Sequence, residues 1–254
     1  MPPPPLGGRS SPTAAARAGP WTSPKQRLWL SSCGGRPMLR RMALASPVLL
    51  VGGSPRIAVD AVRHLTVAAT GATAIALGEL LRRHGRETTL LLSQDASPGV
   101  AAQRYTGRDS LEDALGGWIA RYPEGCVVMS AAVNDYRVVS VERSEDGETR
   151  ALRAGEKLSS GADEVVIRLR SAPKLIDRLR PEFGLRGPIV GFKYEDRSTV
   201  LASATALQRR VMALCVLANS LCGKLQAIVD ADGETPYDNR QAVLAALAER
   251  IIRT

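Results

Sequence analysis

Histidine and phenylalanine are scarce in this sequence, with 2 of each in 254 residues. With only His64 and His84 available, a histidine-based zinc site or a Ser-His-Asp triad is disfavoured. The 4 cysteines, Cys33, Cys126, Cys215 and Cys222, form no CxxC pair and fall mostly in or beside apolar runs. They read as small buried hydrophobes in a reducing compartment, which excludes a disulfide framework and fits a cytoplasmic location. No apolar run approaches the ~18–20 residues of a membrane-spanning helix. The nucleotide fingerprints GxGxxG and GxxxxGKS/T are also missing. What is present is ordinary for a globular chain: 44% hydrophobic and 23% charged residues, at a length that allows one large domain or two small ones.

The formal charge of +9 points to nucleic acid only until it is located. Arg9, Arg17, Lys25, Arg27, Arg36, Arg40 and Arg41 have no acidic residue among them, so most of the excess lies before residue 42 and the remainder is nearly neutral. A phosphate-tracking protein would show a clustered basic face in its folded part, and none is evident. Residues 1–46 begin with Pro2 to Pro5 and stay rich in Pro, Gly, Ser, Ala and Arg. Such a segment buries too little apolar surface to offset chain entropy and is expected to be a disordered basic tail, dispensable for folding. The composition also fits an organelle transit peptide. The missing amphipathic period favours a plain tail, or translation from upstream of a start at Met38 or Met42.

From Pro47 to the end, strands and helices alternate. Val48 to Val51 is a buried strand entering Gly52-Gly53, followed by a helix over Thr73–His84 and a strand over Thr88–Leu92. Leu111, Ala114, Leu115, Trp118 and Ile119 follow helical spacing, with Ser110 as the expected N-cap. Cys126 to Ser130 is another strand. Residues 138–169 break the rhythm with two strands around Asp146-Gly147 and a third at Val165–Leu169, a β excursion from the main sheet. The alternation resumes with a helix near Lys174–Leu179 and a strand at Ile189–Phe192. A helix over Thr199–Met212, strands at Cys215–Ala218 and Leu225–Val229, and a helix from Asn239 to Arg253 complete it. The fold class is α/β, a doubly wound, mostly parallel Rossmann-like sheet with a small β flap.

Open α/β sheets bind ligands beyond the carboxyl ends of their strands. That rule selects Gly52-Gly53-Ser54, the run from Ala131 to Tyr136, Gly191-Phe192-Lys193 and Ala218-Asn219-Ser220. Asp135 follows a buried strand and a run of small residues, where a carboxylate can bind a ribose hydroxyl, hold an amine or cation, or merely cap a turn. Lys157 lies in a segment bracketed by Gly155 and Gly161, where a mobile lysine can close over an anionic substrate or remain a solvated surface charge. Phe192 stands at a strand end, where it stacks on a base or caps the core. A nicotinamide-dependent oxidoreductase is weakened by the absent GxGxxG and by Leu92-Ser93-Gln94, where an acidic residue should end the second strand.

In this order the elements resemble phosphopantothenoylcysteine synthetase, which in many bacteria is the C-terminal half of a bifunctional DNA/pantothenate metabolism flavoprotein. The resemblance runs from Pro47 to the C-terminus. It rests on Val51-Gly52-Gly53-Ser54-Pro55-Arg56, on Asp60-Ala61-Val62-Arg63, and most specifically on Ala131-Ala132-Val133-Asn134-Asp135-Tyr136. Glu156-Lys157, Pro173, Val190-Gly191-Phe192 and Leu217-Ala218-Asn219 follow in the family's order. The resemblance implies a ligase joining 4′-phosphopantothenate to cysteine through an acyl-nucleotidylate, with CTP or ATP and Mg²⁺ as co-substrate. It implies no flavin, since the decarboxylase half is absent, no metal ligands of the protein's own, and a homodimer. By the same resemblance Lys157, Asp135 and Arg63 are catalytic. Gly53, Ser54, Gly71, Ala131, Asp135, Lys157, Pro173 and Phe192 bind the nucleotide. No nucleic acid or membrane partner is implied.

The pattern departs at several chemically important places. The family's asparagine falls on Val67, which has no side-chain hydrogen bond to offer. Its Ser-Ser-Gly-Lys is Ala69-Thr70-Gly71-Ala72, its Lys-Asn-Pro is Ser171-Ala172-Pro173, and two nucleotide-binding lysines fall on Leu207 and Val211, beside Arg209 and Arg210. A catalytically degenerate, ligase-like binding subunit is therefore the alternative to an active enzyme.

Overall fold

The computed structural model describes residues 46–254. The tail expected before them, with Cys33, lies outside the described residues. The chain opens with β1 (Val48–Gly52), the short β2 (Ile57–Ala58) and β3 (His64–Leu65), then α1 (Ala72–Arg83). β4 (Thr88–Ser93), β5 (Gln103–Tyr105), α2 (Arg108–Arg121) and β6 (Cys126–Met129) follow. Next come β7 (Tyr136–Glu145), β8 (Glu148–Ala151), β9 (Glu164–Ser171) and α3 (Leu175–Arg178). The chain closes with β10 (Ile189–Glu195), α4 (Val200–Val211), β11 (Cys215–Ser220), β12 (Gln226–Asp230), β13 (Gly233–Pro236) and α5 (Arg240–Ile252).

Eight strands form one sheet in the order β13-β12-β11-β10-β6-β1-β4-β5. From β5 to β11 every pairing is parallel, and only β12 and β13 add antiparallel at one edge. The cause is visible in β1, where Val48, Leu49, Leu50 and Val51 are all buried. Successive side chains of a strand point to opposite faces, so a wholly apolar strand needs cover on both sides. Val48 and Leu50 meet Leu77 and Leu81 of α1 in the layer that also holds Leu247 and Ile251 of α5. Leu49 and Val51 share the other layer with Leu111 and Leu115 of α2, Leu179, and Ala204 and Leu207 of α4. The β excursion is a separate antiparallel sheet, β8-β7-β9, turning at Asp146-Gly147 as expected.

Two local expectations are corrected. The α2 N-cap is Gly107, and Ser110 sits inside the first turn. From there its Oγ accepts from the Thr106 and Gly107 N–H groups at 3.0 and 3.1 Å, so its hydroxyl serves the turn from within. Cys126 and Cys215 are buried, and burial pushes each thiol up to about 12, but Cys222 is exposed in the turn after β11. The strands that sequence reading missed are short or polar. β5 has one fully buried side chain, Tyr105, and β13 (Gly-Glu-Thr-Pro) is exposed throughout.

At the opposite end of the sheet from the candidate site, Arg86 is 6% exposed. Its guanidinium donates to the Ser46 carbonyl at 2.9 Å and the Ile252 carbonyl at 3.3 Å, joining the entry to β1 with the end of α5. Hydrogen bonds to a charged donor contribute ~1.5–3 kcal/mol. Arg86→Met is expected to lower unfolding free energy by about 2 kcal/mol in a urea titration. An unchanged midpoint would show that the clamp contributes nothing.

Candidate active site

The strand order reverses between β1 and β6, and the loops leaving these strands are bonded together there. Ser130 donates from its N–H (3.0 Å) and Oγ (2.7 Å) to the Val51 carbonyl, and the Ala132 N–H donates to the Gly53 carbonyl at 2.9 Å. The Tyr105 hydroxyl fixes the Gly52 carbonyl at 2.9 Å. Gly53 has φ +85°, and a Cβ there would lie 2.1 Å from Ser93 Oγ, so only glycine fits. Gly71, with φ +74°, caps α1 and stands against the Gly53 backbone.

A crevice of two connected compartments opens above these loops. The larger, about 720 Å³, is lined by Gly53, Gly71, Thr73, Asn219 and Arg240 among others. The smaller, about 370 Å³, is lined by Ala131, Asp135, Lys174, Leu207 and Arg210 among others. Val67, Ser130, Ala132, Phe192, Lys193 and Tyr194 border both. Of the predicted site residues, the fold thus brings Gly53, Gly71, Ala131, Asp135 and Phe192 to one crevice. The Asp135 carboxylate is paired with Lys174, and its carbonyl accepts from the Ala172 N–H at 2.7 Å.

Four predicted residues lie elsewhere: Ser54, Arg63, Lys157 and Pro173. Ser54 is buried behind the crevice, its Oγ accepting from the Val67 N–H at 3.1 Å while its own N–H donates to Ser93 Oγ at 3.1 Å. Arg63 and Lys157 are exposed and lie together at the root of the flap, outside the crevice lining. Asp60 makes this junction. Its enclosed carboxylate accepts from the N–H groups of Val62 (2.8 Å), Arg63 (2.6 Å) and Leu158 (3.0 Å) and pairs with the Arg63 guanidinium. Arg63 in turn donates to the Leu158 carbonyl at 3.1 Å, and Leu158 is buried. Lys157 is therefore held by its backbone on both sides while its ammonium stays in solvent. Beside it, the Arg150 guanidinium and the Arg153 N–H hold the Glu156 carboxyl down at about 2.

Desolvation pushes the Asp60 carboxyl up, but the three N–H donors and Arg63 outweigh it and hold it well below the usual carboxylate range. A depressed folded value stabilises above the unfolded value of about 3.9 and is lost as pH falls through the folded one. The Leu158 amide is thus expected to keep its hydrogen-exchange protection from pH 8 to about 4, after correction for intrinsic rates. Protection already fading at pH 6 would contradict this anchor.

Sequence reading missed the brace behind the crevice. Arg108 is 9% exposed and donates to the Pro173 carbonyl and, at 3.5 Å, to that of Asn134. It joins the loop of Asp135 to the loop of Pro173, which itself does not line the crevice. Glu112 receives Arg108 and Arg178, each at 2.8 Å. Burial pushes the Glu112 carboxyl up, and the two guanidiniums outweigh that and hold it low. An i,i+4 pair on a helix usually reads as surface decoration, and only the fold shows that this one spans two loops.

The sheet, its helices on both faces and a crevice at the reversal point define a doubly wound α/β domain of Rossmann-like architecture. More particularly, the chain belongs to the family of the DNA/pantothenate metabolism flavoprotein C-terminal domain, which matches residues 44–235. The coenzyme A biosynthesis bifunctional protein CoaBC of Thermococcus kodakarensis is 28% identical over 180 residues, 68% of this chain and 41% of that protein. The chain therefore spans well under half the length of this curated relative. The DNA/pantothenate metabolism flavoprotein from Streptococcus pneumoniae superposes with a TM-score of 0.69 at 20% identity, over 82% of this chain and 99% of that one. A Cab2 mutant in complex with phosphopantothenate-cysteine gives 0.65 at 14% identity, over 83% and 86%.

Among the described residues no three histidine, cysteine or acidic side chains converge on a metal position, and no helix is long and apolar enough to cross a membrane.

Proposed function

We propose that this chain is a phosphopantothenate–cysteine ligase that activates its substrate with a nucleoside triphosphate. The observation that carries the reading, beside family membership, is the two-compartment crevice at the strand reversal. One compartment is floored by left-handed glycines and the first turn of α1, the other by Ala131, Asp135 and Phe192. Backbone N–H groups at glycine turns and helix starts suit phosphates, and an aromatic strand end beside a carboxylate suits a nucleoside.

In the reaction, a carboxylate oxygen of 4′-phosphopantothenate attacks the α-phosphorus of CTP or ATP. The bond to the bridging oxygen breaks and pyrophosphate leaves. The cysteine amine then attacks the acyl carbon, the nucleoside monophosphate leaves, and the amine loses its proton. Gly53 and Gly71 approach the phosphates, with Ser54 holding the Gly53 turn in place. Ala131, Asp135 and Phe192 hold the nucleoside, against the wall that Pro173 and Arg108 brace. Lys157 and Arg63 meet substrate when the flap closes. Mg²⁺ arrives as the counter-ion of the triphosphate, so it belongs to the substrate. Val139, Val165, Val166 and Leu169 leave apolar surface exposed on the β7-β9 sheet, which supports a homodimer through the flap.

Val67, Leu207 and Val211 favour the second reading, a binding subunit without catalysis, because Leu207 and Val211 are buried in the core and supply no charge. Pyrophosphate release separates the two. The ligase releases it only when both phosphopantothenate and a nucleoside triphosphate are present, whereas a binding subunit releases none with either nucleotide.

A further inference from the structure

The crevice has four basic side chains in its lining: Lys174, Lys193, Arg210 and Arg240. Three are answered by carboxylates: Lys174 by Asp135, Lys193 by Glu195 at 2.8 Å, and Arg210 by Asp177 at 3.0 Å. Arg240 is different. Among the described residues it has no acidic partner, and its guanidinium donates to the neutral Thr73 Oγ1 at 2.8 Å. Thr73 lies in the first turn of α1, and Arg240 is itself the first residue of α5. Neither helix has an acidic residue in its first turn, and α1 has no side-chain cap. Among the described residues, Asp238, just before the α5 cap, makes no ion pair with it either.

A cation is disfavoured at a helix N-terminus, where the backbone already presents positive potential. Here an exposed one stands at two such ends, on the lining of a cavity of about 720 Å³, and among the described residues no carboxylate pairs with it. An anion lodged between the guanidinium and the α1 turn would resolve the conflict. Charge-assisted, two-pronged bonding from arginine suits phosphoryl oxygens in particular.

Building on the ligase reading, we infer that Arg240 is a substrate-binding residue that receives the outer phosphates of the nucleoside triphosphate and sets the preference for triphosphate over monophosphate. The other compartment, with Asp135 and Phe192, leaves the nucleoside on the far side of Phe192 from Arg240. The phosphate chain is then the part of the ligand that reaches α5, and Thr73 holds the guanidinium ready for it.

The test is calorimetric binding of ATP, CTP, AMP and CMP, with Mg²⁺, to the full chain and to Arg240→Ala, Arg240→Lys and Thr73→Val, with thermal melts alongside. Arg240→Ala should bind the preferred triphosphate at least about 10-fold more weakly and its monophosphate as wild type does, with an unchanged melting temperature. Arg240→Lys should recover part of the loss, and Thr73→Val should lose less than Arg240→Ala. A wild type that prefers the triphosphate, with Arg240→Ala keeping that preference in full, overturns this inference and leaves the ligase reading intact. A wild type that binds no nucleotide overturns both.

Discussion

Replacing Lys157 by alanine is expected to slow pyrophosphate release on the order of 10²-fold while leaving the melting temperature unchanged within error. The two halves of this expectation have different origins. The Lys157 ammonium is exposed, while its neighbours carry the structural bonds: the Glu156 carbonyl accepts from the Ala61 N–H at 3.2 Å, and Leu158 is tied to Asp60 and Arg63. Truncating the side chain leaves these intact and should cost under about 0.5 kcal/mol of stability. The rate effect follows if flap closure brings the ammonium beside charge that develops on the phosphates. One preorganised cation removed from such a place typically costs a hundredfold or more. Few spare cations exist to compensate, since Lys174, Lys193 and Arg210 are already paired. Equal rates for wild type and variant would remove Lys157 from the mechanism.

Gly53→Ala is expected to be costly in both stability and activity. At φ +85° a side chain carries about 1–2 kcal/mol of backbone strain. The new Cβ would also stand 2.1 Å from Ser93 Oγ and 2.9 Å from Ala96 Cβ. Ser93 cannot simply move, because its Oγ accepts the Ser54 N–H, and Ser54 in turn holds Val67 at the crevice rim. Strain and displacement together should cost about 2–4 kcal/mol in a urea titration, with pyrophosphate release falling at least tenfold. A variant of wild-type stability would mean that the turn is freer than its bonds indicate.

Most of this fold is legible in the sequence because strand β1 and its parallel neighbours are continuous apolar runs, and α1, α4 and α5 carry clear helical spacing. The β excursion shows itself through Asp146-Gly147. β5 and β13 escape because three or four half-polar residues leave no period to read. The loops at the strand ends are legible for the same reason as the strands: once a strand is placed, its carboxyl end is placed. That logic finds Gly53, Ala131, Asp135 and Phe192, which converge on one crevice. It cannot find Arg108, whose partners Asn134 and Pro173 are distant in sequence and contribute only carbonyls. Nor does it find Arg240, which meets Thr73 only because α1 and α5 share one face of the sheet. Lys157 and Arg63 lie at no strand end; the family resemblance alone makes both catalytic and Lys157 a nucleotide ligand, and the fold puts them at the flap root, where Asp60 binds Arg63 and the Leu158 N–H.

The acyl-nucleotidylate is the central claim, and isotope transfer tests it most directly. Phosphopantothenate carrying ¹⁸O in its carboxylate would be turned over with cysteine and a nucleoside triphosphate, and the released phosphates analysed by mass spectrometry. Attack on the α-phosphorus leaves one ¹⁸O in the nucleoside monophosphate and none in pyrophosphate. Label in inorganic phosphate, or turnover with an unlabelled monophosphate, would contradict the account.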